Sequence, residues 1–167
     1  MEEYPALLRT LLENRGITGA EEAERFLNPD YERDLHDPLL LPGMPRAVER
    51  ILRGVRVGEK LVIFGDYDCD GIPGATALNE FFSKIGYENL EVFIPHRHLE
   101  GYGLSLPVIE EFASEGVTLV ITVDCGITDV EPIARANELG VDVIITDHHQ
   151  PQAVLPAAYA IVNPKLP

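Results

Sequence analysis

Cysteine, basic residues and long apolar runs are all scarce in this sequence, and each scarcity excludes a class of protein. Cys69 and Cys125 are the only cysteines, too few for a disulfide scaffold or a four-cysteine zinc site. Both are read as free thiols. Lysine and arginine number 13 against 28 aspartates and glutamates, a formal net charge of −15. Non-specific grip on duplex backbone needs the opposite balance, because Lys and Arg neutralise the phosphates. A small site in which metal ions supply the positive charge stays open. No stretch approaches the roughly 18 apolar residues of a membrane span, and the opening MEEYPALLRT is no signal peptide. A soluble, cytoplasmic protein with no membrane partner is expected. Internal repeats and low-complexity tracts are also missing. What is present is a 46% apolar share over 167 residues, enough for one domain with its own core, or one domain with a small extension.

The first part reads as helical. PALLRTLLENRG has helical apolar spacing and closes on Gly16. ITGAEEAERFLNP restarts with Thr18 as N-cap and stops at Asn28-Pro29. YERDLHDPLLLPGM is a proline-broken connector, and PRAVERILRGVRVGE is a further amphipathic helix. These make up a helical N-terminal extension over residues 1–58, ahead of an α/β domain over 59–167.

From Lys60 the pattern alternates. KLVIFG, LEVFIP, VTLVITVD, VDVIITD and AAYAIVN read as strands. PGATALNEFFSKIGY, SLPVIEEFASEG and TDVEPIARANELG read as the helices between the first four. Continuous Val/Ile/Leu strands joined by helices predict a parallel, doubly wound sheet of about five strands covered on both faces. All strand C-terminal ends then share one edge, where ligands bind in such sheets. Asp66, Asp68 and Asp70 follow the first strand, and His96, Arg97 and His98 the second. Asp124 ends the third strand, and Asp147, His148 and His149 end the fourth. Polar residues that merely begin loops explain one such end easily and four poorly.

GDYDCDG is the densest of these clusters. Three carboxylates so close repel one another unless a cation lies between them. Oxygen donors with one or two imidazoles suit Mg²⁺ or Mn²⁺, and imidazole tilts the choice toward Mn²⁺. With no lysine nearby to compensate, two ions fit better than one. A pair about 3.5–4 Å apart can share a bridging carboxylate, activate water and stabilise the leaving oxygen of a phosphoester. Three rivals compete for the same segment. An EF-hand loop matches through Gly71 but needs a bidentate Glu where Ala77 stands. A haloacid-dehalogenase-like nucleophile loop would begin at Asp68, but Ile72 replaces the usual Thr or Val. A dinucleotide site lacks its G-x-G-x-x-G.

VIITDHHQ resembles the signature of the DHH phosphoesterase superfamily, and FGDYDCDG and TVDCGI resemble its first and middle motifs, in the same order. FLNPDYERDLHDPLLLPGMPRAVERI, IPHRHLEGYGL and AIVNPK are similar to the RecJ-type single-strand exonucleases within it. The smaller relatives, inorganic pyrophosphatases and oligoribonucleases, usually open the first motif with a histidine, where Phe64 stands here.

The resemblance implies a phosphodiesterase using two Mn²⁺ or Mg²⁺ ions, the N-terminal catalytic half of a 5′→3′ single-stranded DNA exonuclease of repair and recombination. Asp68, Asp70, Asp124 and His148 are its implied metal ligands, with Asp124 bridging. His149 is implied as a phosphate contact or as proton donor to the leaving oxygen. Asp66 falls in or beside the ligand set, and Asp147 orients an imidazole; either could instead cap the following turn or helix. The implied catalytic set is Asp66, Asp124, His148 and His149. Arg97 is implied as a phosphate clamp, with a surface ion pair as the alternative. Gly101 and Gly103 let backbone approach the substrate around Tyr102, a ring for base stacking, while His96 and His98 read as loop histidines. Pro73 and Cys69 depart from the family's usual threonine and small aliphatic residue. RecJ-type proteins also continue with a helical part holding one more metal-binding aspartate and then a nucleic-acid-binding domain. The expectation is therefore a monomeric fragment or truncated homologue, acting on single-stranded DNA and incomplete alone. A nucleotide or oligonucleotide phosphodiesterase of the superfamily, and a non-catalytic binding module, are the alternatives.

Overall fold

The structure, a computed structural model, describes residues 3–166. The chain divides into two compact units, Met1–Asp37 and Pro38–Pro167. In the first, helices α1 (Ala6–Glu13) and α2 (Ala20–Leu27) pack around a small core of Leu12, Ile17 and Ala23, and a short helix α3 (Tyr31–Asp34) follows. Helix α2 begins one residue later than a Thr18 cap requires, with Gly19 at the N-cap. Glu21 and Glu22 in its first turn complement the positive helix end instead. Part of the expected connector is helical, because Asp30 accepts from the Glu32 and Arg33 amides and caps α3.

The second unit opens with a 3₁₀ turn, Pro38–Leu40, and helix α4 (Met44–Val57). There follow β1 (Lys60–Gly65), α5 (Gly71–Lys84), β2 (Leu90–Phe93), α6 (Leu106–Ser114) and β3 (Val117–Val123). The unit ends with α7 (Val130–Glu138), β4 (Asp142–Thr146) and β5 (Ala160–Val162). The sheet is parallel throughout, in the order β2-β1-β3-β4-β5. The expected five-stranded, helix-covered sheet is therefore present.

Side-chain alternation divides the core in two. Leu61, Ile63, Leu119, Ile121 and Ile144 point to one face and pack on Ala47 of α4 and Ala75 and Phe82 of α5. Val62, Phe64, Val120, Val143 and Ile145 point to the other, against Val108, Ile109 and Phe112 of α6 and Ile133 and Ala136 of α7. Burying both faces of the central strands explains why they read as unbroken apolar runs.

At the N-terminal edge, Arg50 of α4 is only 3% exposed. Its guanidinium bonds Glu59 at 2.6 Å and Asp142 at 2.5 Å, and Thr118 also donates to Glu59 at 2.6 Å. This network ties α4 to the starts of β1, β3 and β4. At the opposite edge the chain crosses from β1 out to β2 and back to β3, so a crevice opens between β1 and β3, the switch point where such sheets bind ligands.

Candidate metal centre

Each central strand hands over to an aspartate that continues the ladder by one residue. The Asp66 amide donates to Val123 O at 3.1 Å, the Asp124 amide to Thr146 O at 2.9 Å, and the Asp147 amide to Val162 O at 3.1 Å. The three carboxylates thus stand in a row across the sheet edge, and all three residues are buried. Asp124 is the one non-glycine with a positive φ among the described residues, at 63°. Asp tolerates that left-handed region better than most L-residues, and the turn aims its side chain along the edge.

Asp68 and Asp70 are delivered by the turn into α5. Gly71 allows it, because a Cβ there would lie 2.3 Å from Asp66 O and 2.6 Å from Asp66 N. Asp68 Oδ1 accepts from the Asp70 amide at 2.8 Å and the Gly71 amide at 3.1 Å. Those donors hold its carboxyl below the usual range.

Two sets of side chains bring possible ligand atoms within 4.8 Å of one another: Asp66, Asp68 and Asp124, and Asp124, His148 and His149. Asp124 belongs to both. His148 Nε2 is 2.9 Å from Asp124 Oδ1, though without hydrogen-bond geometry. Asp66 Oδ1 and both Asp124 oxygens are buried with no hydrogen bond. Orphaned buried acceptors cost on the order of 1–3 kcal/mol each, more when charged. A cation removes all three deficits at once, and carboxylate oxygens with imidazole nitrogens suit a divalent ion such as Mn²⁺ or Mg²⁺. Burial, and then the Asp68 charge, push the Asp124 carboxyl up, the direction expected of a carboxylate awaiting a counter-charge.

Asp147 differs. Its Oδ2 accepts from the Ile127 amide at 3.0 Å. Its Oδ1 accepts from the His148 amide at 2.7 Å and the His149 amide at 2.9 Å, and lies 2.8 Å from His149 Nδ1. Fully satisfied, it fixes the DHH turn and leaves His149 Nε2 outside this contact. Asp70 joins neither close set; with Val123, Asp124, Thr146, Asp147 and His148 it lines a cleft of about 290 Å³.

Tyr102 sits edge-on to His149, ring centroids 6.0 Å apart, and its hydroxyl is 3.3 Å from both Asp124 O and His149 Nδ1. It therefore packs on the imidazole. Gly101 and Gly103 both take positive φ around it. Asp129, which the motifs did not single out, anchors this loop: its Oδ2 accepts from the Leu104 amide at 2.7 Å. Its one sequence signal is its place at the start of the predicted helix TDVEPIARANELG. Arg97 stands over the Tyr67 ring. His96 and His98 are exposed loop residues in neither ligand set. Cys125 is buried, which pushes its thiol up, so it packs as an inert group. Cys69 is exposed.

Comparison with known proteins places the chain in a family. The DHH family, N-terminal domain, matches residues 60–167. The chain belongs to the DHH family. Within it, the single-stranded-DNA-specific exonuclease RecJ of Bacillus subtilis is 40% identical over 161 residues, 96% of this chain and 20% of that protein. Its Escherichia coli counterpart is 38% identical over 165 residues, 98% of this chain and 28% of that protein. A crystal structure of exonuclease RecJ bound to manganese superposes with a TM-score of 0.72 at 36% identity, covering 79% of this chain and 34% of that one. RecJ from Thermus thermophilus in complex with Mn²⁺ gives 0.70 at 29%, covering 94% and 21%. The chain thus spans less than a third of the length of these curated relatives. Among the described residues no helix is long and apolar enough to cross a membrane.

Proposed function

We propose that this chain is the N-terminal catalytic part of a RecJ-type exonuclease that hydrolyses phosphodiester bonds of single-stranded DNA from the 5′ end, at a centre of two Mn²⁺ or Mg²⁺ ions. The observation that carries the reading is Asp124. One strained, buried carboxylate with two orphaned oxygens is shared by two candidate ligand sets, as a bridging ligand would be. The manganese-bound state of two similar RecJ structures supports it.

When bound, the cations supply Lewis-acid polarisation of the phosphodiester and of the attacking water. The chain's residues supply the rest. Asp66, Asp68 and Asp124 would hold one ion, and Asp124 and His148 the other, with Asp70 a further candidate ligand from the cleft. His149, its Nδ1 committed to Asp147, turns Nε2 toward the substrate to contact a phosphate oxygen or protonate the leaving oxygen. Arg97 takes a neighbouring phosphate, and Tyr102 braces His149. With a net charge of −15, grip on a polyanionic strand falls to this local site, where bound cations would supply the positive charge.

The test is Mn²⁺ titration of the chain by calorimetry, with hydrolysis of a 5′-labelled single strand, a duplex and a dinucleotide by the complete protein. Two-site binding and Mn²⁺-dependent loss of the single strand from its 5′ end are expected. Preference for dinucleotides would move the reading to a small nucleotide phosphodiesterase, and absence of Mn²⁺ binding would sink it.

A further inference from the structure

Arg50, Arg53 and Arg135 of this unit make ion pairs, placing their guanidinium groups on carboxylates. Arg97 differs from them and resembles Arg46, whose guanidinium also stands over a ring, that of Tyr159, at 4.6 Å. Arg97, in a chain with twice as many acids as bases, has no carboxylate or carbonyl partner among the described residues. Its guanidinium carbon lies instead 4.4 Å from the centroid of the Tyr67 ring. A ring face attracts the cation without using its N–H donors, so the whole fork stays available for a planar, bidentate anion.

Tyr67 lies between Asp66 and Asp68 in the chain, which ties the stored cation to the carboxylate row. Together with Asp68, Cys69, Ile72 and Pro73, these two residues line a groove of about 440 Å³. The lining includes Asp68, a member of one candidate ligand set. Ile72 is 46% exposed and supplies apolar wall. An anion in the groove would have both the arginine and a residue of the candidate centre within the same lining.

We propose that Tyr67 is a positioning residue: it stores the Arg97 guanidinium, donors uncommitted, for the phosphate adjoining the one at the metal centre, with the attached nucleoside against Ile72 and Pro73. The inference rests on the phosphodiesterase reading above. Holding the side chain in place before the anion arrives removes part of the ordering cost that a free arginine carries into binding.

A double-mutant cycle tests it. The probe is a 5′-phosphorylated hexathymidylate with phosphorothioate linkages, titrated calorimetrically into the complete protein at saturating Mn²⁺. Arg97→Ala should weaken binding roughly ten- to a hundredfold, the range for a hydrogen-bonded charge. Tyr67→Leu should weaken it roughly two- to fivefold, the worth of an exposed cation–π contact. Tyr67→Phe, which keeps the ring, should stay within about twofold. In the Arg97→Ala background Tyr67→Leu should cost nothing further, and Mn²⁺ affinity should be unchanged in every variant. Equal losses from Tyr67→Leu in both backgrounds would overturn the inference. So would a matching loss of Mn²⁺ affinity, which would mean that the aspartate loop had moved, or a Tyr67→Phe defect as large as that of Tyr67→Leu. A complete wild-type protein that binds Mn²⁺ but no oligonucleotide overturns the functional reading and this inference together. Additive losses on a protein that does bind it overturn this inference alone.

Discussion

Replacing Gly71 by alanine should destabilise the chain and empty the metal centre, although helix propensity argues the reverse. Gly71 is the first residue of α5, with helical backbone, and Ala there would ordinarily gain up to ~1 kcal/mol. Its Cβ would lie 2.3 Å from Asp66 O, 2.6 Å from Asp66 N and 2.7 Å from Asp66 C. All three are backbone atoms, so no side chain can swing aside; the helix start must retreat from the end of β1. Overpacking of this kind costs about 1–3 kcal/mol. The balance is a net loss of roughly 1–2 kcal/mol, or about 2–8 °C in Tm for a chain of this size. The same retreat pulls the Asp70 and Gly71 amides from Asp68 Oδ1. Support lost around a ligand typically costs about 10- to 100-fold in metal affinity. Differential scanning calorimetry without metal and Mn²⁺ titration measure the two effects separately. A G71A chain as stable as the parent, with unchanged Mn²⁺ affinity, would refute the close approach and the route by which it delivers Asp68.

Further expectations concern other groups. Asp124→Asn should abolish high-affinity Mn²⁺ binding in a titration, yet raise the Tm of the metal-free chain, because it removes a buried charge that no donor satisfies. Asp129→Asn tests a pH effect. Burial holds the Asp129 carboxyl above its ordinary value near 4, so the folded chain binds this proton more tightly than the unfolded one. Its contribution to stability is complete below the ordinary value and is lost as pH rises through the raised one. Asparagine still accepts from Leu104 and should flatten that part of the Tm–pH curve, leaving the variant at least as stable at neutral pH. Arg50→Ala should cost about 3–5 kcal/mol in urea unfolding, because it strands the Glu59 and Asp142 carboxylates. If folded, it should bind Mn²⁺ normally, since the network lies at the opposite edge of the sheet.

The sheet was legible because β1, β3 and β4 are buried on both faces and show as uninterrupted apolar runs. Their parallel order then required Asp66, Asp124 and the DHH turn to meet at one edge, as they do. Helix starts were less legible. Glycine at position 19 leaves no side-chain signal for a cap, and Asp30 caps a helix of only four residues within an apparent connector. At the centre, sequence order does not say which aspartates of an alternating triplet converge. Asp66 is drawn inward by the ladder bond to Val123, while Asp70 is turned toward the cleft by the start of α5. Sequence alone did not show that the Tyr102 hydroxyl approaches Asp124 O and His149 Nδ1. Asp129 and Arg50 went unremarked because a single charged residue in a helical stretch looks like solvated surface, and only tertiary contacts reveal it as an anchor.

The ladder bonds that carry Asp66, Asp124 and Asp147 one residue past their strands make the sheet a ruler. Neighbouring strands lie about 4.8 Å apart, so the spacing of carboxylates along the edge is set by backbone hydrogen bonds rather than by loop conformation. Side chains alternate with a period of two, and a strand mispaired by one residue would turn its aspartate to the opposite face. Such an error would scramble the core and dismantle the cation site together. Folding correctly and assembling the candidate centre are then one event, and on the proposed reading cation retention would report native register directly.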